Sequence, residues 1–472
     1  MQNLYDEVGP LDRRCYEEFN LSEEILMEHA ADGMADFIRR HFQKGSSILI
    51  AAGGGNNGAD GITLARLLYE EYDVSLWHIK PPKSPMSLLQ KKRVEKIGLQ
   101  SIETPKESYD IIVDAVLGTG FAGEFNAELR DKMQKLNNLN GYKIACDVPS
   151  GLRQDGTCEK DTFNAQTTLT MGALKKGMFL DEAKEFVGDI SVLDLGVSRS
   201  VYEVPSNWKL LGYEDMKLPK REKKNTHKGI FGHTAVVAGE KVGAAVLAAS
   251  SALRIGSGLV TVVECEMHSL PYELMRSEHL PANATAIALG MGLGNVWSED
   301  ELSRILANDL PLVADADILY TSRIKQLLER KNIVITPHPK EFASLLQLLE
   351  LAEVDVSTLQ QNRFKYAELF CRNYPDVTLL LKGANVIIGQ NDRFFINDRG
   401  SSKLAKGGSG DVLAGLTAGL LAQGYSALDA AVNATLIHTK LAELYKGSDF
   451  SLTPTALIEL IPELESSTKK AL

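Results

Sequence analysis

Strand-like and helix-like segments alternate along almost the whole chain, and one stretch that is neither interrupts them. Apolar groups at Ile25, Leu26, Ala30, Met34, Phe37 and Ile38 recur at helical spacing across 22–42, with Ser22 as the expected N-cap. SSILIAA (46–52) reads as a buried strand, followed by a Gly/Asn loop and a helix beginning near Gly58. Further strands are predicted at 73–79, 110–116 and 142–148. Such alternation builds a parallel sheet with helices on both faces and right-handed crossovers. Within 200–228 the texture changes, and KLPKREKKNTHKG (217–229), basic and polar with one proline, reads as a linker. The alternation then restarts, with strands predicted at 233–240, 258–264, 311–319, 332–337 and 377–383 and helices at 410–423 and 427–445. The expectation is an α/β protein of two domains, 1–212 and 213–472, which suits 472 residues when a usual domain has about 150.

Composition removes several functional classes. Apolar residues make 44% and charged residues 24%, which is globular rather than disordered. The net charge of −11 argues against nucleic-acid binding by bulk charge. Five cysteines, Cys15, Cys146, Cys158, Cys265 and Cys371, are scattered without CxxC spacing. That speaks against a disulfide framework or a cysteine zinc site, and for a reducing compartment. The first residues are charged where a signal peptide needs an apolar core, and no run of about 18 apolar residues occurs. A cytoplasmic protein without a membrane segment is expected.

The first half offers three polar strand ends. AAGGGNNGADG (51–61) joins a strand to a helix, a turn whose backbone N–H groups suit a phosphate. It lacks the Lys-Ser/Thr of a P-loop, and tight packing without a ligand is the plainer reading of the glycines alone. Asn56, Asn57 and Asp60 add polar groups where open α/β sheets bind ligands. Asp114 in VDAVLGTGFAGE and Asp147 in CDVPSGL end two further strands. Asn57, Asp114 and the Ser150 carbonyl offer oxygens for a hard cation, and so few carboxylates suit a monovalent ion. Asp147 remains free to move a proton. Each Asp alone could equally be a turn former.

GGGNNGADG, DAVLGTGF and DVPSGL, with LMEHAA (26–31), resemble the amino-terminal domain of the YjeF family, the NAD(P)H-hydrate epimerase. The resemblance covers roughly 5–200 and implies a Rossmann-like parallel α/β sandwich. It implies that Asn56, Asn57, Gly58, Ala59, Asp60, Gly118, Thr119, Gly120, Phe121, Ala122, Gly123, Glu124 and Asp147 contact a hydrated NADH or NADPH. It also implies that Asn57, Asp114 and Ser150 hold potassium. Ala59 and His29 depart from the family's usual Gly and Asn; Ala at a position wanting positive φ would carry strain. A hydroxyl next to the ring nitrogen can be epimerised by reversible ring opening or by loss and return of water, with Asp147 shuttling the proton.

In the second half, LAKGGSGDVLAGLTAGLLAQG (404–424) sets a Gly-Gly-Ser-Gly turn before an apolar helix. That is an anion hole, and Asp411 in the first turn is expected to be ionised by the helix dipole and poised as a base. The arrangement suits removal of a proton from a hydroxyl that attacks a terminal phosphate; a glycine-capped helix start is the plainer alternative. The motif resembles the ribokinase-like superfamily. HKGIFGHTAVVAGE, ALRIGSGLVTV, GMGLG (290–294), DADIL (315–319), TPHPKEF (336–342) and LKGANVII (381–388) follow the order of the YjeF carboxy-terminal domain, the ADP- or ATP-dependent NAD(P)H-hydrate dehydratase. Over roughly 215–465 this implies a ribokinase-like α/β domain. It implies nucleotide contacts at Lys382, Gly383, Ala384, Asn385, Val386 and Gly410. It implies contacts from Ala244, Gly294, His338 and Asp411 to the S hydrate, and magnesium on the phosphates. Locally, His338 is as well explained by capping or packing. Ser401–Lys406 replaces the family's usual lead-in, Met291 replaces a Pro, and Lys406 near the phosphates is expected to bear on ADP against ATP.

Together the two halves predict a lyase and isomerase that repairs NADHX and NADPHX with ADP or ATP, K+ and Mg2+, as a homo-oligomer. One alternative is a ribokinase-like kinase of a small hydroxymethyl compound, which leaves the first half unexplained. Another makes the amino-terminal domain a binding module, against which Asn57, Asp114 and Asp147 stand.

Overall fold

The computed structural model describes residues 1–264 and 268–464; Cys265 and the end of the expected second domain, 465–472, lie outside the described residues. The chain forms two compact units, one of residues 2–208 and one from Lys209 onward, with Met1 grouped with the second. Among the described residues no helix is long and apolar enough to cross a membrane, and Cys15, Cys146, Cys158 and Cys371 are free.

In the first unit, β1 (Ser47–Ala52), β2 (Asp73–His78), β3 (Ser101–Ile102), β4 (Ser108–Ala115), β5 (Asn140–Cys146), β6 (Thr167–Met171) and β7 (Asp189–Leu193) make one parallel sheet in the order β3-β2-β1-β4-β5-β6-β7. The chain runs outward one way from β1 and the other way from β4, so their carboxyl ends flank a switch point, where open α/β sheets leave a crevice. The register opposes Ala51 to Asp114. Three helices bear on that crevice: α1 (Gly9–Glu18), α2 (Glu23–His41) and α3 (Asn56–Leu68). The Ser22 hydroxyl caps α2 by accepting from the Ile25 N–H at 3.3 Å, as the sequence predicts. α3 starts two residues earlier than predicted, because Gly55 is its extended N-cap. Ala59 therefore lies inside α3 and is absent from the residues with positive φ, so the expected strain does not arise. The departure His29 packs against Gly196, where a Cβ would come within 2.7 Å of the ring.

In the second unit, β8 (His233–Val237), β9 (Leu259–Val263), β10 (Met275–Ser277), β11 (Ala286–Leu289), β12 (Leu312–Ala314), β13 (Ile333–Ile335), β14 (Val377–Leu381), β15 (Val386–Gln390) and β16 (Arg393–Asn397) order as β10-β9-β8-β11-β12-β13-β14-β15-β16. Pairings are parallel as far as β14, and β15 and β16 continue antiparallel. Four further helices matter for the site: α4 (Val242–Arg254), α5 (Pro339–Leu348), α6 (Ser409–Ala422) and α7 (Ala427–Leu444). The α6 sequence is apolar all round, which is the pattern of a helix enclosed by its own fold. Every residue of α6 is buried except Gly410 and Asp411.

Several expectations are corrected. The strand predicted at 311–319 ends at Ala314, and Ala316–Tyr320 is a 3-10 turn, because Ala316 takes φ +51°. The texture change at 200–228 includes a helical turn at Arg199–Tyr202 and a strand at Trp208–Leu210. Strands β3, β6, β7, β10, β11, β15 and β16 escape prediction, since runs of two to five residues are too short to show a periodicity.

Candidate active sites

The crevice at the first switch point is a cleft of about 1220 Å³. Asn56, Asn57, Asp60, Gly118, Thr119, Gly120, Phe121, Ala122 and Asp147 line it, as the sequence expects. Gly58 and Ala59 are buried in α3 instead, and Gly123 and Glu124 lie outside the cleft lining, with the Gly123 carbonyl taken by Arg153. Gly58 has a packing reason: a Cβ there would fall 1.9 Å from the Gly53 carbonyl oxygen. Gly55 gives α3 no side-chain cap, and Gly54, Gly55, Asn56 and Asn57 at the start of the helix line the cleft. The Asn56 amide donates to Glu23 at 2.6 Å.

Asp147 follows β5 with φ +68°, a conformation uncommon outside glycine and its near equivalents Asn and Asp. Its Oδ1 accepts from the Met171 N–H at 3.1 Å and the Lys175 ammonium at 2.5 Å. The Lys175 side chain is 4% exposed and also donates to the Thr170 hydroxyl and the Met171 carbonyl, both at 2.8 Å. This is a largely buried, hydrogen-bonded ion pair, and the hydrogen bonds to the Asp147 carboxylate from Thr170, Met171 and Lys175 all fall on Oδ1 among the described residues. Burial, with Asp147, Asp12 and Glu23 nearby, pushes Asp60 well above the usual carboxylate range despite Lys175.

Asp114 and Ser150 meet beneath the cleft. The Ser150 N–H donates to Oδ2 at 2.7 Å, the Ser150 hydroxyl to Oδ1 at 2.6 Å and the Val116 N–H to Oδ1 at 3.1 Å. The Leu117 N–H donates to the Ser150 hydroxyl, and Gly118 packs on the Asn57 side chain. The turn 116–118 thus connects Asn57, Asp114 and Ser150. Burial pushes Asp114 up to about 6, against the hydrogen bonds that lower it. The Asn57 amide nitrogen is buried without a partner, and the Ser150 carbonyl accepts from the Phe163 N–H at 2.9 Å.

The second unit gathers polar groups at the carboxyl ends of β8 and β11 to β14. Lys241 and Glu240 donate backbone N–H groups to the Gly292 and Leu293 carbonyls, which seats the start of α4, and with it Ala244, beside Gly294. The Gly294 N–H donates to Asp317. Met291 is fully buried in this turn. Asp315 follows β12 and pairs with Lys382 after β14 at 2.6 Å. A Cβ on Gly410 would stand 3.4 Å from the Lys382 nitrogen, so this pair adjoins the start of α6. Gly408 makes that start possible: its φ is +91°, and a Cβ would press within 2.8 Å of Leu247 and Pro454. Asp411 is raised by burial and then by Asp315, with Lys382 opposing. The helix dipole, expected to favour the ionised form, is outweighed; the same shift makes the carboxylate a stronger base.

His338 caps α5. Its Nδ1 accepts from the Lys340 and Glu341 N–H groups at 3.1 and 3.2 Å, and Glu341 returns a bond to the His338 N–H at 2.7 Å. Lys382, Gly383 and Ala384 reach the surface, whereas Asn385 and Val386 are buried. Lys406 donates to the Phe450 carbonyl at 2.6 Å, which engages the ammonium expected near the phosphates. Among the described residues no cluster of three His, Cys, Asp or Glu side chains is placed to hold a metal.

Sequence reasoning passed over Asp12, Tyr16, Glu23, Lys80 and Lys83 in the first cleft and Lys175 beside it. It also passed over His438 on α7, whose Nε2 meets the Ser409 hydroxyl at 3.0 Å and which burial pushes down to about 4. Two lysines inside an apolar run, MGALKKGMF, are the one signal that could have found Lys175.

Two family profiles match the chain. One, described as YjeF-related protein N-terminus, matches residues 23–177; the other, described as NAD(P)H-hydrate dehydratase, matches residues 234–463. The chain is 42% identical to the bifunctional NAD(P)H-hydrate repair enzyme of Helicobacter pylori, over 98% of this chain and 100% of the relative. It is 32% identical to the enzyme of the same name from Coxiella burnetii, over 93% of each. A solved structure described as ADP/ATP-dependent NAD(P)H-hydrate dehydratase from Bacillus subtilis, co-crystallized with ATP/Mg2+, is 27% identical, covering 55% of this chain and 98% of its own at a TM-score of 0.46.

Proposed function

The chain belongs to the bifunctional NAD(P)H-hydrate repair enzymes, and from that premise we propose how its residues divide the work. The protein epimerises the R and S hydrates of NADH and NADPH and dehydrates the S form with an adenine nucleotide, ADP or ATP. We assign epimerisation to residues 1–212 and dehydration to residues 213–472. The observation that carries this is the coexistence in one chain of a cleft lined by Asp147, with Lys175 paired to it from beside the cleft, and a glycine turn exposing Asp411 beside Lys382.

At the first site, Asp147 takes and returns the proton of the ring hydroxyl, while Asn56, Asn57, Asp60 and residues 118–122 hold the hydrate. At the second, hydroxide is a poor leaving group, so the hydroxyl is phosphorylated before it departs. Asp411 takes its proton, the N–H groups of the glycine turn hold the transferred phosphoryl group, and Lys382 with Gly383 and Ala384 borders the nucleotide. Magnesium, for which no three-residue cluster exists among the described residues, would come with the nucleotide and neutralise phosphate charge. In the test, near-ultraviolet absorbance follows reduced nicotinamide in a mixed R/S NADH-hydrate sample with potassium, magnesium and ADP. Complete recovery is expected. A stop at the S share would remove the epimerase, and no recovery with ADP or ATP would remove the dehydratase in favour of a small-alcohol kinase.

What supports potassium at Asn57, Asp114 and Ser150 is a set of oxygen donors: the buried Asp114 carboxylate, the Asn57 amide oxygen beside Gly118 and the Ser150 carbonyl. The ion would supply a positive charge that offsets ionised Asp114. The sign follows from linkage. A carboxyl whose folded value of about 6 exceeds its ordinary 3.8 binds its proton more tightly when folded. Stability therefore falls as pH rises from about 4 to about 6, and the ionised group remains a cost above that. At pH 7, potassium is expected to raise the unfolding temperature more than tetramethylammonium does. Asp114→Asn should erase that difference; an equal potassium response in Asp114→Asn would remove Asp114 from the site.

A further inference from the structure

Asp12 lies in the first turn of α1 and lines the epimerase cleft together with Asp60, Asp147, Glu23 and Tyr16. The Tyr202 hydroxyl, 190 residues away in sequence, donates to its Oδ1 at 2.7 Å. Tyr202 is 1% exposed, and its ring sits where a Cβ on Gly172 would come within 2.5 Å. Gly172 directly follows Met171, whose N–H holds Asp147, and Lys175 lies three residues further on. One turn, 171–175, therefore fixes two carboxyl groups through different partners. Among the described residues no hydrogen bond fixes Asp60 in this way, and burial is the largest influence on it.

Resting on the epimerase reading above, we propose that Asp12 is a second catalytic residue of R/S exchange, the acid that works against the Asp147 base. Asp147 carboxylate accepts the proton of the ring hydroxyl. The bond between that carbon and the ring nitrogen breaks, its electron pair goes to nitrogen, and the carbon becomes an aldehyde. Asp12 donates its proton to the nitrogen. The aldehyde turns about its C–C bond, the nitrogen adds to its other face, and both protons return to the groups that exchanged them. No atom or electron is gained, and only the configuration changes. A single carboxylate paired to Lys175 serves the oxygen but leaves the departing nitrogen without a proton.

The surroundings agree with that division. Burial and the charges of Asp147 and Glu23 raise Asp12, while the Tyr202 hydrogen bond and Lys175 lower it, and the net is upward. Tyr16, itself pushed up to about 12, Asp60 and the buried Cys15 are further titratable groups near Asp12 among the described residues.

The test uses the full-length protein, a single hydrate epimer and no nucleotide, with chromatographic separation of R and S. Asp12→Asn is expected to lower kcat for exchange by about 10²-fold or more, with KM changed less than about threefold. Formate is expected to restore part of the exchange lost in Asp12→Ala. Tyr202→Phe deletes a bond that lowers Asp12, so the alkaline limb of kcat should move to higher pH, a shift that a merely structural role would not give. Wild-type exchange rates in Asp12→Asn overturn the proposal. So does a slow Asp12→Asn whose Ala counterpart ignores formate while the Tyr202→Phe profile stays put. If Asp12→Asn does not fold, the Tyr202→Phe limb decides alone: moved supports, unmoved overturns. A kcat collapse in Asp60→Asn with Asp12→Asn unaffected transfers the acid role to Asp60. A wild-type protein that does not exchange the epimers sinks the epimerase reading itself.

Discussion

Asp411→Asn is expected to stop dehydration of the S hydrate, with kcat lower by about 10²–10⁴-fold, while R/S exchange continues. Asn keeps the size and the helix position, so the glycine turn, the Lys382–Asp315 pair and the buried length of α6 should survive. What is lost is the proton acceptor. Because burial and Asp315 raise Asp411, the base form appears at higher pH than for an ordinary carboxylate. Activity should therefore fall as pH drops, with the acid limb above the usual carboxylate value. Asp315→Asn removes a like charge and leaves the Lys382 ammonium unopposed, so it should move that limb to lower pH. Absorbance at saturating nucleotide, followed across pH, reads both results. Dehydration in Asp411→Asn within about threefold of wild type would take Asp411 out of the reaction.

Asp147→Asn should have the matching effect on the first site. R/S exchange is expected to disappear, and a mixed hydrate sample should then recover reduced nicotinamide only up to its S share. Asn tolerates the left-handed backbone that this position requires, so backbone strain does not confound the result. Stability is the confounder: removing one partner of a buried ion pair typically costs about 3–5 kcal/mol. Lys175 keeps its bonds to Thr170 and Met171, which lessens that cost. The double variant Asp147→Asn with Lys175→Met separates the two effects. It should regain thermal stability over the single variant and still fail to exchange the epimers. Exchange that returns along with stability would make the pair structural rather than catalytic.

The sequence alone determined whatever contiguous residues build. GGGNNG and GGSGD each join a strand or loop to a helix, and the glycine N-cap at each helix start is written in neighbouring residues. Strand–helix alternation fixed the α/β class for the same reason, and the ordered motifs carried the family resemblance. His338 shows the limit of local reading: two roles suited its loop, and only the fold displays its ring nitrogen accepting from two N–H groups of α5. The electrostatics of both sites were settled by tertiary structure. Asp147 meets Lys175 across 28 residues, Lys382 meets Asp315 across 67 and Asp12 meets Tyr202 across 190. Those meetings depend on strand order and crossovers, which bring distant strand ends to one edge of a sheet. Charge states depend on them too, because burial and neighbouring charge, not residue type, decided that Asp411 would rise where its helix position alone would lower it.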